Sequence, residues 1–270
     1  MKAISLDCLT LPDVSPVDLF GIAADAGFAL ASVWVQPPAV YPVMLASPAM
    51  QADIARAISA SGVILGNLEV FNLNGNTPIA EYEWTLAFGA ELGARSASAI
   101  NFGPARPDIA ERLAAFHGLC RRHGLKTYLE PISMGATRTL QEGVDLIREA
   151  GVDARLVVDC AHLLRTGGSS KDLTAIAPDY IGYVQVCDGP ATIAEDEIGD
   201  EAAANRLYPN EGDFPLFEIL SAVPSHAILG VETPSRSRLE RGLTALERAR
   251  EAFQAMTDIV RKVEIARERI

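Results

Sequence analysis

Basic residues are scarce in this sequence, which has 23 lysines and arginines against 35 aspartates and glutamates and a formal net charge of -12. Proteins that hold DNA or RNA neutralise its phosphates with basic side chains, so the charge balance argues against a nucleic-acid partner. No stretch reaches the roughly 18 consecutive apolar residues of a membrane-spanning helix, and Asp7 interrupts the apolar run that a signal peptide needs. We therefore predict a cytoplasmic protein without a membrane partner.

Cysteine is also rare, and the four cysteines lie far apart at Cys8, Cys120, Cys160 and Cys187, without CxxC spacing. This usage is typical of reduced thiols in a cytosolic enzyme and argues against a disulfide framework or a zinc knuckle. The sequence also lacks a Gly-rich phosphate-binding turn after an early strand, which an open, doubly wound nucleotide-binding sheet needs. Phosphorylated substrates are for the same reason not specifically indicated.

What the sequence does contain is a regular alternation of short apolar runs with longer amphipathic runs. The apolar runs predict strands at residues 3–8, 28–35, 62–71, 94–101, 125–130, 154–159, 181–188 and 227–232. The amphipathic runs predict helices at residues 16–27, 47–60, 79–92, 108–123, 140–150, 171–176, 216–222 and 238–265. Eight strand–helix units in a chain of 270 residues predict one (β/α)₈ TIM barrel domain over residues 1–270, with an open doubly wound sheet as the competing fold.

Two segments depart from this regular pattern. A long connection over residues 189–215 follows the seventh strand, and a connection of that length at the carboxyl end of a barrel strand is a candidate lid. The final predicted helix is longer than the others. Its apolar positions are expected to cover the barrel, and its surplus length is compatible with a homo-oligomer.

Four consecutive predicted strands end in an oxygen-bearing side chain: Glu130, Asp159, Gln185 and Glu232. In a closed barrel the carboxyl ends of neighbouring strands surround one mouth, so these side chains should converge there. Carboxylates at short range raise each other's pKa unless a cation offsets them, and carboxylate and amide oxygens suit a hard divalent ion. Mn²⁺ is the ion we expect, with Mg²⁺ and Co²⁺ as alternatives. Each acid taken alone is equally compatible with an ordinary strand end near solvent.

The segments around these residues resemble one known family. The segments are Leu129-Glu130-Pro131, Val158-Asp159-Cys160-Ala161-His162, Val184-Gln185-Val186-Cys187-Asp188-Gly189, Arg206-Leu207-Tyr208-Pro209-Asn210-Glu211-Gly212-Asp213 and Val231-Glu232-Thr233-Pro234. They are similar to those of the xylose isomerase-like TIM barrels, the sugar phosphate isomerase/epimerase superfamily. The resemblance implies one divalent metal held by Glu130, Asp159, Gln185 and Glu232. Gln185 replaces the family's usual histidine, as in the branch of bacterial 3-dehydroshikimate dehydratases, and this change argues against zinc.

The same resemblance implies that His162 and Arg206 contact the substrate. His162 is a candidate catalytic acid or base near neutral pH, although a histidine in a loop also serves as a structural hydrogen-bond partner. Arg206 is a candidate for gripping a hydroxyl, carboxylate or phosphate, although it is also placed to balance the acidic run at residues 195–201. Glu69 ends the third predicted strand and is a further substrate-binding candidate.

The resemblance and the carboxylates together predict an isomerase or epimerase. A metal that chelates a carbonyl and its neighbouring hydroxyl acidifies the adjacent C–H bond and stabilises an enediolate, and Glu130 and Glu232 then move the proton. The expected partner is a small hydroxy-carbonyl molecule, such as a sugar or a sugar-like hydroxy-ketone. Two alternatives stay open: a metal-dependent lyase of the 3-dehydroshikimate dehydratase type, and a binding barrel without turnover. The family's DNA-repair endonucleases are disfavoured because the charge is acidic and the extra histidine ligands of a multi-zinc site are lacking.

Overall fold

Eight short strands pair in parallel in chain order and close into a barrel in the computed structural model, which describes residues 2–268. The strands are β1 (Ile4–Leu6), β2 (Leu30–Trp34), β3 (Ile64–Asn72), β4 (Ser96–Ile100), β5 (Lys126–Glu130), β6 (Arg155–Asp159), β7 (Ile181–Val186) and β8 (Ile228–Val231). Closure occurs where Leu6 of β1 lies beside Val231 of β8. The predicted TIM barrel is confirmed, although the predicted domain bounds include Met1, Arg269 and Ile270, which lie outside the described residues.

Helices surround the barrel and cover its apolar outer face. They are α1 (Pro16–Ala26), α2 (Gln51–Ser61), α3 (Glu83–Glu91), α4 (Ile109–Arg122), α5 (Leu140–Ala150), α6 (Cys160–Arg165), α7 (Ser170–Ala175), α8 (Ile198–Ala204), α9 (Leu216–Ala222), α10 (Arg236–Glu240) and α11 (Ala245–Arg267). Helix α1 begins as its sequence predicts: the Ser15 side chain accepts a hydrogen bond from the Asp18 backbone, and Pro16 occupies the first turn. None of the helices within residues 2–268 is both long enough and apolar enough to cross a membrane.

The final helix differs from its prediction. Instead of one helix over residues 238–265, the chain forms α10 and α11 with a turn between them. Gly242 adopts a left-handed conformation with φ of 76°, which ends α10, and Thr244 and Glu247 form a reciprocal capping box that starts α11. The apolar periodicity on both sides of the turn hid this break, because helical spacing continues across it.

The segment predicted as a lid contains helix α8 and is tied to the barrel by a buried ion pair. The Arg165 guanidinium donates to both carboxylate oxygens of Glu201, at 2.7 and 2.5 Å, and its plane lies 5.0 Å from the centre of the Phe214 ring. A backbone bridge also joins Asp188 to Leu207. In this structure the segment is therefore held beside the mouth of the barrel as one of its walls, and its role as a lid stays a prediction.

The two ends of the barrel interior have different chemistry. Tyr128, Val157 and Tyr183 pack together inside the barrel, with the partly buried Ile228 against them, as an apolar layer near the middle of β5, β6 and β7. Beyond this layer, toward the carboxyl ends, the buried interior positions carry polar side chains such as Asn67, Glu69, Gln185 and Glu232. The open cavity therefore lies at the carboxyl ends, which is where TIM-barrel enzymes bind their substrates.

Candidate active site

A cavity of about 510 Å³ opens at the carboxyl ends of the strands. Its polar lining includes Glu69, Glu130, His162, Gln185, Arg206 and Glu232. All six side chains are buried, and they come from positions far apart in the sequence. Asp159, the seventh residue predicted from the sequence, lies directly behind this lining and contacts Arg206. The structure thus brings all the predicted site residues to one place, while their chemical roles remain predictions.

One arginine nitrogen bridges two of these carboxylates. Arg206 Nη1 lies 2.5 Å from Asp159 Oδ2 and 2.9 Å from Glu232 Oε2, and it also donates to the Glu232 backbone carbonyl at 3.2 Å. The other Asp159 oxygen caps α6 by accepting the His162 backbone N–H at 2.9 Å. Because the Arg206 side chain is 2% exposed, it is a built-in positive charge beside two buried carboxyl groups. Arg206, which the sequence predicts as a substrate contact, therefore also has an electrostatic role within the site.

Gln185 supplies an amide next to the same carboxylates. Its position in β7 pairs with Asp159 in β6, and its Nε2 donates to Glu232 Oε1 at 2.9 Å. Its carbonyl oxygen is buried and has no hydrogen-bond partner among the described residues. A buried acceptor without a donor costs free energy unless a ligand satisfies it, so this oxygen is available to a cation.

Glu130 and His162 face each other on another side of the site. His162 Nε2 lies 3.9 Å from Glu130 Oε1, and the Nδ1 of the same ring is 3.0 Å from the Ser133 hydroxyl. One ligand atom from each of Glu130, Asp159 and His162 fits into a group with no pair more than 4.8 Å apart. That spacing suits a single shared cation.

Asp7 joins the site as an acid that the sequence reasoning missed. Its Oδ1 accepts hydrogen bonds from the Tyr183 hydroxyl at 2.5 Å and from Ser5 Oγ at 2.9 Å, while its Oδ2 is buried and has no partner within residues 2–268. Carboxylate oxygens of Asp7, Glu69 and Glu232 also form a group within 4.8 Å. The site thus extends downward into the barrel beyond the predicted residues.

The signal for Asp7 was present in the sequence. The apolar run Ile4–Leu6 ends in an acid, in the same way as the strands that end in Glu130 and Asp159. Its inward position also depends on Gly230 in β8, because a Cβ at that position would overlap the Asp7 carboxylate and the Tyr183 hydroxyl. That requirement follows from strand register, which the sequence alone did not reveal.

Most of these acids are hard to ionise. Burial raises the pKa of Glu69 to about 8, with the Glu232 charge adding to the effect. Burial likewise raises the pKa of Glu232 to about 8, because it outweighs the attraction of Arg206. Burial raises the pKa of Glu130 and of Asp7 well above the ordinary range, followed by repulsion from Glu232 and from Glu69 respectively. The cluster therefore has more carboxyl groups than its one guanidinium can balance.

Asp159 and His162 behave differently. Burial opposes ionisation of Asp159, but the neighbouring Arg206 and His162 outweigh it and hold its pKa below the usual value. Burial lowers the pKa of His162, despite the opposing attraction of Asp159, so its imidazole is neutral near neutral pH. Asp159 is thus the carboxyl group of the site that ionises most readily, and the uncharged ring of His162 can form a hydrogen bond with a ligand.

The donor set fits a hard divalent cation. Glu69, Glu130 and Glu232 resist ionisation without added positive charge, and the Gln185 carbonyl oxygen has no donor among the residues that the structure describes. Carboxylate and amide oxygens are the ligands that Mn²⁺ and Mg²⁺ prefer. A cation here has to share Asp159 and Glu232 with the Arg206 guanidinium.

Replacement of Glu69 gives the first testable consequence. In metal-free protein, we expect Glu69→Gln to gain stability relative to the unchanged chain as pH rises from roughly 5 to 9. The folded-state pKa of Glu69, about 8, exceeds its ordinary value of 4.5. The unfolded chain releases the proton first, so ionisation of Glu69 costs folding free energy as pH rises, and glutamine escapes that cost. Urea unfolding with a chelator at several pH values measures the difference, and a difference that does not change with pH would contradict it.

The sequence and the fold were compared with known proteins. A family model described as xylose isomerase-like TIM barrel matches residues 20–259. None of the curated proteins matches the chain significantly. Many solved structures share the fold, and three are informative because of what their descriptions say they bind or do.

The first of these is the IolI protein with a bound zinc atom, which is 17% identical with a TM-score of 0.79 over 97% of this chain and 99% of that chain. The second is D-allulose 3-epimerase from Methylomonas sp., at 16% identity and a TM-score of 0.71 over 96% of this chain and 98% of that chain. The third is the probable 3-DHS dehydratase AsbF from Bacillus anthracis, at 13% identity and a TM-score of 0.72 over 95% of this chain and 99% of that chain. At these identities the likeness concerns the fold.

Proposed function

Because this chain belongs to the xylose isomerase-like TIM barrel family, we propose that it is a divalent-metal-dependent isomerase or epimerase of a sugar-like hydroxy-ketone. The observation that carries the proposal is the convergence of Glu130 and Glu232, two hard-to-ionise acids from different strands, in one cavity with Asp159, Gln185 and Arg206 nearby. Proton transfer next to a carbonyl needs two such groups, one to remove the proton and one to return it. The epimerase among the structural neighbours supports this reaction class.

Glu130, Asp159, Gln185 and Glu232 are the proposed metal ligands. When bound, the metal supplies Lewis acidity that polarises the substrate carbonyl and makes the neighbouring C–H bond more acidic. We propose Mn²⁺, with Mg²⁺ or Co²⁺ as alternatives, because the amide oxygen of Gln185 makes the ligand set harder than one with a histidine. The zinc bound by the IolI neighbour supports a metal in this fold, without identifying the ion in this chain.

The proposed proton transfers belong to Glu130 and Glu232. In the ionised form either carboxylate can remove the proton next to the substrate carbonyl, and the opposite one, protonated, can return it. Return to the other face of the same carbon gives epimerisation, whereas return to the neighbouring carbon gives aldose–ketose isomerisation. The raised pKa of Glu232, about 8, favours this exchange, because a group that titrates near neutral pH is effective as both an acid and a base.

His162, Arg206 and Glu69 are proposed to orient the substrate. If the Ser133 hydroxyl donates to Nδ1 of His162, the Nε2–H of the neutral ring faces Glu130 and the cavity, where it can donate to a substrate oxygen. Arg206 keeps Asp159 ionised and contributes to the cavity lining. Glu69 lines the cavity beneath the mouth and can bind a substrate hydroxyl.

A dehydratase is the second candidate function. The wall formed by α8 and the size of the cavity suit a cyclic substrate, and AsbF among the structural neighbours has the same fold. In this reaction the intermediate formed after proton removal expels a β-hydroxyl instead of being reprotonated. The same carboxylates serve both reactions, so only the products separate the two candidates.

Solvent-deuterium exchange tests the proposal. With hydroxy-ketones in D₂O and Mn²⁺, we expect deuterium to enter the carbon next to the carbonyl, because Glu130 and Glu232 exchange their protons with solvent. Proton NMR measures the loss of that signal and also identifies the product as an epimer, an isomer or an alkene. Treatment with a chelator should stop the exchange and Mn²⁺ should restore it. Exchange that persists unchanged without metal would contradict the metal-dependent mechanism.

A further inference from the structure

The walls of the active-site cavity are apolar, in contrast to its acidic floor. They are contributed by the loops after several strands and by α8. Their apolar and aromatic members are Leu9, Trp34, Pro37, Pro38, Val40, Val70, Tyr82, Ile100, Phe102, Ile132, Met134, Ala202 and Ala203. A floor of a few converging polar groups beneath apolar walls is the usual form of a site for a ligand with one polar end and one apolar end.

Several wall residues are exposed where the cavity meets solvent. Phe102 is 50% exposed, Val40 45% and Met134 39%. These three are among the most exposed large hydrophobic side chains of residues 2–268, and all three line one cavity. Isolated exposed hydrophobic residues are ordinary, but a group of them around a cavity marks a surface that a ligand covers.

The cavity offers little cationic charge to an anionic substrate group. Arg206 is the one lysine or arginine that lines it within the described chain, and its Nη1 is already engaged by Asp159 and Glu232. Apart from the proposed metal ion, a phosphate dianion would therefore meet only a guanidinium whose charge is already shared with carboxylates, which is electrostatically unfavourable.

The cavity is also larger than a short polyol alone needs. Its volume of about 510 Å³ lies in the range of sites that enclose drug-sized ligands. Three aromatic rings line it, from Trp34, Tyr82 and Phe102, and Met134 adds a polarisable sulfur. Aromatic ligand groups pack favourably against both kinds of side chain.

We infer that the substrate is an unphosphorylated hydroxy-ketone joined to an aromatic ring, with the hydroxy-ketone on the acidic floor and the ring against Phe102 and Met134. This inference rests on the proposed function, since it takes the floor as the site of reaction. The aromatic ring is the part of the substrate that the reaction leaves unchanged. Phe102 then determines specificity without taking part in proton transfer.

Four matched probes test the substrate class by binding alone. They are hydroxyacetone, 2-hydroxyacetophenone, its cyclohexyl analogue and dihydroxyacetone phosphate, titrated against the Mn²⁺-loaded protein by saturation-transfer NMR. The first two differ only by replacement of a methyl group with a phenyl ring. We expect the phenyl ketone to bind about tenfold more tightly than hydroxyacetone, because the ring covers apolar wall. The cyclohexyl analogue should fall between them, and the phosphate ester should bind most weakly.

A pair of variants locates the ring. Phe102→Ala is expected to reduce the preference for the phenyl ketone to about threefold or less, while the affinity for hydroxyacetone changes by less than about twofold. Phe217→Ala is the matched control, because Phe217 on α9 is similarly exposed, at 40%, but lies outside the cavity. It should leave all four affinities unchanged. Both side chains are largely exposed, so neither substitution threatens the fold.

The outcomes separate this inference from the proposed function. Equal affinity for the phenyl and methyl ketones, tightest binding of the phosphate ester, or no binding of any probe would overturn the inference. A phenyl preference that Phe102→Ala does not alter would overturn it as well. A Phe102-dependent phenyl preference without deuterium exchange on any probe would support the apolar subsite and count against the proposed reaction alone.

Discussion

Glu130→Gln and Glu232→Gln are each expected to lower kcat by about 10³-fold, since a positioned acid or base contributes roughly 10²–10⁴-fold to a proton transfer. The substitution preserves the size of the side chain and removes its ability to carry the proton. At position 232 the remaining carbonyl oxygen can still accept from Arg206, whereas the new amide nitrogen replaces the oxygen that accepts from Gln185. Initial rates on a substrate that shows solvent-deuterium exchange measure the effect.

The thermal stability of the Glu130 variant provides the control for this prediction. Burial and nearby negative charge raise the pKa of Glu130 well above its ordinary value, so the folded chain gains little from that charge. We therefore expect Glu130→Gln to leave the thermal unfolding midpoint unchanged or higher while activity falls. Glu218→Gln on the exposed face of α9 is the matched surface control and should affect neither property. Retention of kcat within about threefold in both active-site variants would exclude the two-glutamate mechanism.

Arg206→Met is expected to lower the free energy of unfolding by about 3–5 kcal/mol, because removal of one partner from a buried ion pair leaves the other charge uncompensated. Asp159 loses its counter-charge here, and Glu232 loses the hydrogen bond that the same nitrogen donates. Methionine fills a similar volume without adding a polar group, so the effect reports charge rather than a cavity. Urea unfolding measured without metal tests the value.

Two further variants show whether the loss has this cause. Arg206→Lys keeps a positive charge but lacks the planar guanidinium group. Its free energy of unfolding should therefore fall by less than that of Arg206→Met. Arg236→Met breaks an ion pair with Asp200 in which both side chains are about half exposed. That change should barely alter the free energy of unfolding, since water already screens the pair. A loss of less than about 1 kcal/mol for Arg206→Met would show that Arg206 does not hold the cluster together.

Local sequence patterns predicted the elements that form the barrel. Helix α5 begins at Leu140 and ends at Ala150 as predicted, because a capping box at Thr139 and a left-handed Gly151 mark its two ends. Helix α6 was missed, since it begins directly at the strand end that supplies Asp159 and is only one to two turns long. The Asp159 carboxylate caps the first turn of this helix. From the sequence alone, an aspartate in that position could equally serve as a helix cap or as a metal ligand.

The sequence by itself determined the eight strands and their order, the closed barrel, and most of the side chains at its mouth. These follow from periodicity and from the fact that parallel strands bring their carboxyl ends to one edge, which requires no knowledge of side-chain geometry.

Only the tertiary structure decided that Asp7 belongs to the cluster, that Arg206 bridges Asp159 and Glu232, and that the Gln185 carbonyl oxygen lacks a donor within the described residues. Charge balance and hydrogen bonding depend on distances of a few ångströms between atoms far apart in the chain. Packing of the strands and loops against one another sets those distances, so no local pattern encodes them.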